Sequence, residues 1–272
     1  MHVIRPPNHG RRRGQRLHQR RQSPPGSHRP QHGHLLRPRQ LPVCAVANLG
    51  LIPYQQAWDL QRRIQQEVAG GERPDTLLLL EHPHVYTLGR RGRDSDILVD
   101  EARLVELGAE VHHIDRGGEV TYHGPGQLVG YPIINLLRHG GGPLKYVRTL
   151  ERTLIATLSE FGVKAESEDR PTGVWVGERK IASIGVKVNR GVTTHGFALN
   201  VDPDLTYFDH IIACGMPDVA TTSMSRELGH HVSVDDAIAA FMPHFGRMFG
   251  FELSQVEPTS VQSTLIDTPL PE

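Results

Sequence analysis

The spacing of apolar residues changes along the chain and predicts a mixture of strands and helices from residue 43 onward. Continuous apolar runs predict strands over 43–50 and 76–81, the second of them buried on both faces. Apolar residues at helical spacing predict amphipathic helices over 53–69, 144–161 and 234–249. Shorter elements are expected as strands over 85–88, 111–114, 119–122 and 128–134, and as helices over 100–107 and 222–228.

The segment 173–201 predicts a meander of three strands. Its strand-like runs are separated by turn residues at 177–178 and 189–191. Strands and helices do not alternate regularly along the chain, which disfavours a parallel βαβ fold. We therefore expect a fold of class α+β, with one domain over 43–253 that has a mixed, mostly antiparallel sheet and flanking helices. A loose polar tail is expected over 254–272.

Residues 1–42 differ from the rest of the chain in being rich in Arg, His and Pro. They have almost no periodic apolar content, so they cannot bury enough surface to order themselves. We expect a disordered extension. An arm for nucleic-acid binding or organelle targeting is an alternative, and a start codon assigned too early would explain the segment as well.

The charge balance of the chain hides an acidic body. The sequence contains 30 Lys and Arg residues and 30 Asp and Glu residues. Ten of the basic residues, all Arg, lie in 1–42, so residues 43–272 carry ten more acidic than basic residues. Such a body disfavours nucleic-acid binding, and a phosphate-bearing partner would need a local basic patch.

Cysteine content and hydropathy narrow the class of protein further. Cys44 and Cys214 are too few for a disulfide framework, and the N-terminus lacks the apolar region of a secretory signal. No apolar run approaches the roughly 20 residues of a membrane span. His82 and His84 have a spacing that metal ligands use, but no Cys or carboxylate cluster accompanies them. We therefore expect a cytoplasmic protein without a membrane segment, metal or cofactor.

The stretch Arg116–Gln127 is the strongest candidate for a binding site. Glycines before and after a short extended segment let the backbone approach a ligand closely. Arg116, Tyr122 and His123 add a fixed cation, an amphipathic ring and a titratable imidazole. The simpler interpretation of this stretch is a Gly-rich β-hairpin.

Two further residues could carry nucleophilic chemistry. Cys214 lies in a loop before Gly215, whereas Cys44 lies in a strand, and a loop thiol next to glycine is a candidate nucleophile. Lys180 is one of only four lysines beside 26 arginines, and an ammonium group can lose its proton where a guanidinium cannot. A nearby Lys180 would lower the pKa of the thiol, with His123 or His195 as alternatives for that role. An ordinary loop thiol and an exposed turn lysine remain the simpler interpretations.

Four motifs together resemble the lipoyl(octanoyl) transferase family of the biotin and lipoate protein ligase superfamily. They are Arg116–Gln127, Gly177–Gly185, Thr194–Val201 and the pair Cys214-Gly215, and the resemblance covers roughly residues 45–250. It implies transfer of octanoyl from octanoyl acyl carrier protein to a lysine of lipoyl domains, through a thioester on Cys214. The implied acceptors are the lipoyl domains of 2-oxoacid dehydrogenases and the carrier protein of the glycine cleavage system.

The resemblance also implies a set of site residues and a fold. Cys214 and Lys180 would be the catalytic residues, and the fold would be that of the biotin and lipoate ligase catalytic domains. Two departures exist: the residue before the family's cysteine is commonly Pro and is Ala213 here, and residues 1–42 have no counterpart. The implied substrate-binding residues are Arg116, Gly117, Gly118, Glu119, Val120, Thr121, Tyr122, His123, Ser183, Ile184, Gly185, Gly196, Phe197 and Ala198.

Two other functions fit parts of the sequence. An ATP-dependent lipoate or octanoate ligase on the same fold would activate the acid as an adenylate and need no cysteine, so Cys214 separates the two chemistries. Ser183 also stands where lipoate ligases have a glycine. A nucleic-acid-binding module that uses the Arg-rich extension is the second alternative, and the acidic body argues against it.

Overall fold

Two β-sheets and six α-helices build the part of the chain that the structure describes. The structure is a computed structural model that describes residues 40–215 and 219–262, without the side chain of Cys214. Its strands are β1 (Val43–Leu51), β2 (Asp75–Glu81), β3 (Val85–Leu88), β4 (Glu110–His113), β5 (Val120–His123), β6 (Gln127–Ile133), β7 (Val174–Val176), β8 (Arg179–Asn189), β9 (Val192–Asn200) and β10 (Glu252–Gln255). Its helices are α1 (Tyr54–Gly70), α2 (Glu101–Glu106), α3 (Pro143–Glu160), α4 (Met224–Leu228), α5 (Val234–Phe249) and α6 (Pro258–Gln262).

The larger sheet has seven strands in the order β10-β1-β2-β6-β9-β8-β7. β1 pairs in parallel with both β10 and β2, and the other pairs in this sheet are antiparallel. The smaller sheet has the order β4-β3-β5. The expected α+β fold with a mixed, mostly antiparallel sheet is confirmed, and β7, β8 and β9 form the predicted meander.

Helices cover both faces of the larger sheet, which explains the unbroken apolar run of β2. Leu77 and Leu79 point to one side and pack in a cluster with α3 and α5. Leu78 and Leu80 point to the other side and pack with α1. A central strand covered on both faces has no polar face to present to solvent, so its residues are apolar at every position.

The C-terminal part of the chain differs from the expected loose tail. β10 extends the sheet beside β1, and α6 follows it, with Val261 fully buried against α1. The short, mostly polar sequence of β10 has no periodicity that would reveal a strand, because its order comes from pairing with β1. Residues 263–272, like residues 1–39, lie outside the described residues, so the expectations for those segments stay predictions.

Within the described part of the chain, no helix is both long enough and apolar enough to cross a lipid bilayer. The cytoplasmic location stays a prediction.

Close packing of β9 on β6 predicts a large stability effect at Gly196. A Cβ atom there would lie 2.1 Å from the backbone oxygen of Gly130 and 2.7 Å from Cδ of Pro132. Because backbone cannot move aside cheaply, we expect Gly196→Ala to lower the free energy of unfolding by about 2–3 kcal/mol in urea denaturation. Gly141→Ala is the matched control, since its Cβ would meet only the Lys145 side chain at 3.4 Å. Equal stability of the two variants would contradict this packing.

Candidate active site

A cavity of about 600 Å³ lies beside the paired strands β8 and β9. The register of these strands places Ser183 opposite Ala198 and Gly185 opposite Gly196, so two of the sequence motifs meet on adjacent strands. The third motif reaches the cavity from the loop before β5. Lys180 and all the predicted substrate-binding residues except Tyr122 line the cavity, together with Tyr54, Arg91, Tyr131, Pro143, Leu144, Val147, Pro171, Thr172, Val186 and His195.

The loop at residues 115–118 is attached to β8 and to the smaller sheet. The backbone N–H of Gly117 donates to the carbonyl of Val186 at 3.0 Å. Nη2 of Arg116 donates to the carbonyl and the hydroxyl of Thr87 at 2.8 and 2.9 Å, and the Arg116 side chain is only 8% exposed. A Cβ at position 185 would lie 2.9 Å from both Cδ of Arg116 and the carbonyl oxygen of Gly117, so the close approach requires glycine. The charged side chain is therefore held in a fixed position at the cavity wall.

Tyr122 supports the site from behind. Its hydroxyl is hydrogen-bonded to Nδ1 of His84 at 2.8 Å, and its ring stacks on Tyr207 with centroids 4.9 Å apart. It packs in the apolar cluster between the smaller sheet and the segment around Phe208. Tyr122 therefore packs β5 against its neighbours and does not line the cavity, unlike the other predicted substrate-binding residues.

Lys180 is buried at the start of β8, with 6% of its surface exposed, so it is not an exposed turn lysine. Its Nζ lies 5.4 Å from the centroid of the Trp175 ring. A Cβ at Gly173 would lie 2.6 Å from Cε of Lys180, and the positive φ of 138° at Gly173 also requires glycine. The backbone of Lys180 pairs with Ala220 and Thr222, through bonds of 2.9 and 3.0 Å. The lysine is thereby tied to the segment that follows the Cys214 loop.

Cys214 lies in a 3-10 turn, Ala213–Gly215, and its side chain is outside the described part of the chain. The turn is hydrogen-bonded before the cysteine and lies close to Glu119 after it. The N–H of Ile212 donates to the carbonyl of Asp96 at 2.8 Å, and a Cβ at Gly215 would lie 3.3 Å from Cγ of Glu119. Because Glu119 lines the cavity, the backbone of this turn lies beside the predicted substrate-binding residues.

His195, which lines the cavity, pairs with Asp115, and no pattern in the sequence predicts this pair. His195 is 1% exposed, and its Nε2–H donates to Oδ1 of Asp115 at 2.8 Å, while Nζ of Lys187 donates to Oδ2 at 2.5 Å. Hydrogen bonds from His195 and Lys187 lower the pKa of Asp115 well below its usual range. Burial lowers the pKa of His195, so its ring is neutral at pH 7 and Lys187 is the cation that faces the carboxylate. No local pattern marks Asp115 in the sequence, because its partners lie more than 70 residues away.

The ion pair predicts a pH-dependent stability effect of Asp115→Asn. A carboxyl with a depressed pKa in the folded state stabilises the protein above its unfolded pKa of about 3.9, and this stabilisation is lost as the pH falls through the folded value. We expect the variant to be about 1 kcal/mol less stable at pH 7, allowing for solvent screening of a half-exposed group. The difference from wild type should shrink below about pH 4 in urea titrations. Asp209→Asn, an exposed carboxylate, is the control, and a difference that grows on acidification would refute the assignment.

His123 is a less suitable activating group than the sequence indicated. It is buried and hydrogen-bonded through Nδ1 to Oε1 of Gln127 at 2.8 Å. Burial, with a smaller contribution from His82, lowers its pKa well below the usual value. His82 itself is bonded to Ile52 and Tyr131, and the described residues contain no group of three His, Cys, Asp or Glu side chains that could hold a metal ion.

Comparison with known proteins gives one consistent family. Residues 53–246 match the sequence model described as the lipoyl protein ligase A/B catalytic domain. The octanoyltransferase of Solibacter usitatus is 47% identical over 210 residues, which cover 77% of this chain and 94% of that protein. The mitochondrial octanoyltransferase LIP2 of Arabidopsis thaliana is 48% identical, over 67% of this chain and 78% of the relative.

Solved structures show the same fold at low sequence identity. A lipoate-protein ligase A bound with ATP superposes with a TM-score of 0.66 at 17% identity, covering 82% of this chain and 94% of the other. A putative lipoate protein ligase from T. acidophilum with bound lipoic acid has a TM-score of 0.64 at 17% identity, covering 84% and 95% of the two chains. The expected fold relationship with lipoate ligases is thus confirmed. The chain belongs to the lipoyl protein ligase A/B catalytic domain family and, within it, to the octanoyltransferases.

Proposed function

We propose that this chain transfers an octanoyl group from octanoyl acyl carrier protein to a lysine of a lipoyl domain, through a thioester on Cys214. The observation that carries the proposal is the convergence of separate motifs on one cavity. Lys180, the run from Arg116, and the facing segments at Ser183–Gly185 and Gly196–Ala198 all line it. The identity of nearly half of all aligned residues with named octanoyltransferases supports the acyl group and the reaction class.

The chemistry divides into two acyl transfers. In the first, the Cys214 thiolate attacks the thioester carbonyl of the donor, the carbon–sulfur bond to the carrier breaks, and the carrier thiolate leaves and takes up a proton. In the second, the neutral amine of the acceptor lysine attacks the enzyme thioester, an amide forms, and the Cys214 thiolate is released. In the first step the Lys180 ammonium favours the Cys214 thiolate and gives its proton to the departing carrier thiolate. The neutral Lys180 amine that results accepts the proton that the acceptor lysine loses in the second step.

The cavity offers an apolar path for the acyl chain. Ile184, Phe197 and Val147 line it and also pack in or against the larger apolar cluster. At about 0.8 kcal/mol for each buried CH₂ group, an eight-carbon chain would gain several kcal/mol of binding free energy. Binding energy of that size is enough to distinguish acyl chains by length.

The specific partners follow from the proposed reaction. The donor would be octanoyl acyl carrier protein, and the acceptors would be lipoyl domains of 2-oxoacid dehydrogenases and of the glycine cleavage system. A reducing compartment such as the cytoplasm would keep Cys214 in the thiol form that the first step needs.

Intact-protein mass spectrometry with octanoyl acyl carrier protein tests the covalent step. We expect wild-type protein to gain one octanoyl group that hydroxylamine removes, and Cys214→Ser to gain no such thioester. Octanoyl transfer to a lipoyl domain without any adduct would mean direct transfer. ATP-dependent activity on free octanoate that survives Cys214→Ser would instead favour a ligase.

A further inference from the structure

His195 lines the cavity and carries a buried hydrogen-bonding atom that the transfer chemistry does not use. Its Nδ1 has no hydrogen-bond partner among the described residues, although only 1% of the residue is exposed. The backbone N–H of the same residue donates to Oε1 of Gln61 at 2.7 Å. Nε2 of Gln61, also buried, has no hydrogen-bond partner in the described part of the chain either. Buried polar atoms of this kind are normally paired, so a ligand group is expected there.

The chemical character of Nδ1 is set by Asp115. Because the Asp115 carboxylate can only accept, Nε2 of His195 must carry the proton of the neutral ring. Nδ1 is then a lone-pair acceptor. It needs an O–H or N–H donor, and an apolar group placed against it would leave it desolvated and unpaired.

His195 lies six residue positions along the β8–β9 pair from Lys180. It is opposite Val186, six residues along β8 from Lys180, which corresponds to about 20 Å of extended strand. Extended backbone advances about 3.5 Å for every three bonds, so eight carbons attached to sulfur span roughly 9 Å. With the thioester beside Lys180, as the proposed function requires, an octanoyl chain that follows β8 would end before Val186, and longer chains would approach His195.

We propose that His195 determines which long acyl chains the cavity accepts, by binding a hydrogen-bond donor at the far end of the chain. This inference rests on the proposed acyl transfer. A hydroxyl group, from water or from the ω end of an acyl chain, can donate to Nδ1. A plain hydrocarbon chain that extends this far displaces the hydroxyl group and leaves Nδ1 unpaired. His195 acts as a specificity-determining residue and takes no part in the bond changes at Cys214.

Paired donors test the assignment with the wild-type protein. Plain and ω-hydroxy acyl carrier protein thioesters of eight to sixteen carbons are compared by kcat/KM for transfer to a lipoyl domain. We expect kcat/KM of the plain donors to fall once the chain reaches His195, and the ω-hydroxy donor of that length to be better by about tenfold. If the ω-hydroxy donor is no better than the plain donor at any length, the cavity wall at His195 limits the chain only sterically. His195 is then not the specificity-determining hydrogen-bond acceptor.

Substitution at His195 gives the second test. In His195→Leu the advantage of the ω-hydroxy donor should disappear, and long plain donors should gain relative to octanoyl. Tyr131→Phe is the matched control, because it removes a different buried polar atom from the cavity wall and should leave the ratio of the two donors unchanged. An advantage that persists in His195→Leu overturns the proposal, and the wild-type series decides if that variant does not fold. Absence of octanoyl transfer by wild-type protein would instead refute the proposed function.

Discussion

Replacing Cys214 by Ala is expected to lower kcat/KM for octanoyl transfer by at least about a thousandfold, because loss of the proposed covalent nucleophile removes the whole two-step route. The measurement is the initial rate of lipoyl-domain octanoylation, followed by mass spectrometry of the domain. The turn that carries Cys214 does not contribute a strand or a long helix to the core, so the variant should fold like wild type. A variant that keeps a tenth of the activity would exclude the thioester route.

The second cysteine provides a matched control within the same chain. Cys44 is fully buried in β1, and burial raises the pKa of its thiol far above the usual value. A thiol in that environment is not a nucleophile at neutral pH. Cys44→Ala should therefore keep its activity while losing about 1 kcal/mol of stability from the smaller core side chain.

Lys180→Met is expected to lower kcat/KM by about 10²–10⁴-fold at pH 7, the range typical of losing a group that assists proton transfer. The methionine keeps the length and the packing against Trp175 and Gly173 but removes the charge. Because Lys180 is the proposed cation beside Cys214, the thiol in this variant should ionise nearer its ordinary pKa of about 8.5, so the rate of acyl-enzyme formation should rise with pH toward that value.

Two comparisons separate this role from a structural one. Arg in place of Lys180 keeps a charge but cannot lose a proton. Relative to Lys180→Met, Lys180→Arg should therefore regain more of the rate of acyl-enzyme formation than of the rate of the second step, in which the acceptor amine attacks. Lys187→Met, which removes a lysine paired with Asp115, should leave the pH dependence of acyl-enzyme formation unchanged. A pH profile of Lys180→Met that matches wild type would contradict the assigned role.

The local sequence was sufficient to predict most elements of the fold. The unbroken apolar run of β2, the helical spacing in α3 and α5, and the turns of the β7–β9 meander each reflect a periodicity that the structure confirms. β10 could not be predicted in this way. It is short and polar, and its hydrogen bonds with β1 join residues at opposite ends of the described chain.

The candidate site was predicted to the extent that its residues form motifs. Arg116 and the glycines around it were recognisable because close backbone approach requires glycine, and Gly185 shows that contact directly. Asp115 was not recognisable, since a single carboxylate beside a Gly-rich loop does not reveal that His195 and Lys187 will meet it. The burial of Lys180 was equally hidden, because it depends on Trp175 and on the segment at Ala220.

Parallel pairing of β1 with β10 has a consequence for synthesis of the chain. β1 is the first strand of the described residues to leave the ribosome, but the strand that covers its outer edge, starting at Glu252 opposite Val43, is made roughly 200 residues later. At about 5–20 residues synthesised per second, the outer edge of β1 stays unpaired for roughly 10–40 s before β10 is made. An apolar strand with unpaired N–H and C=O groups can recruit other chains during this interval. Slow translation of codons 223–255 should therefore lower the yield of native protein more than an equal delay after Gln255 has been made.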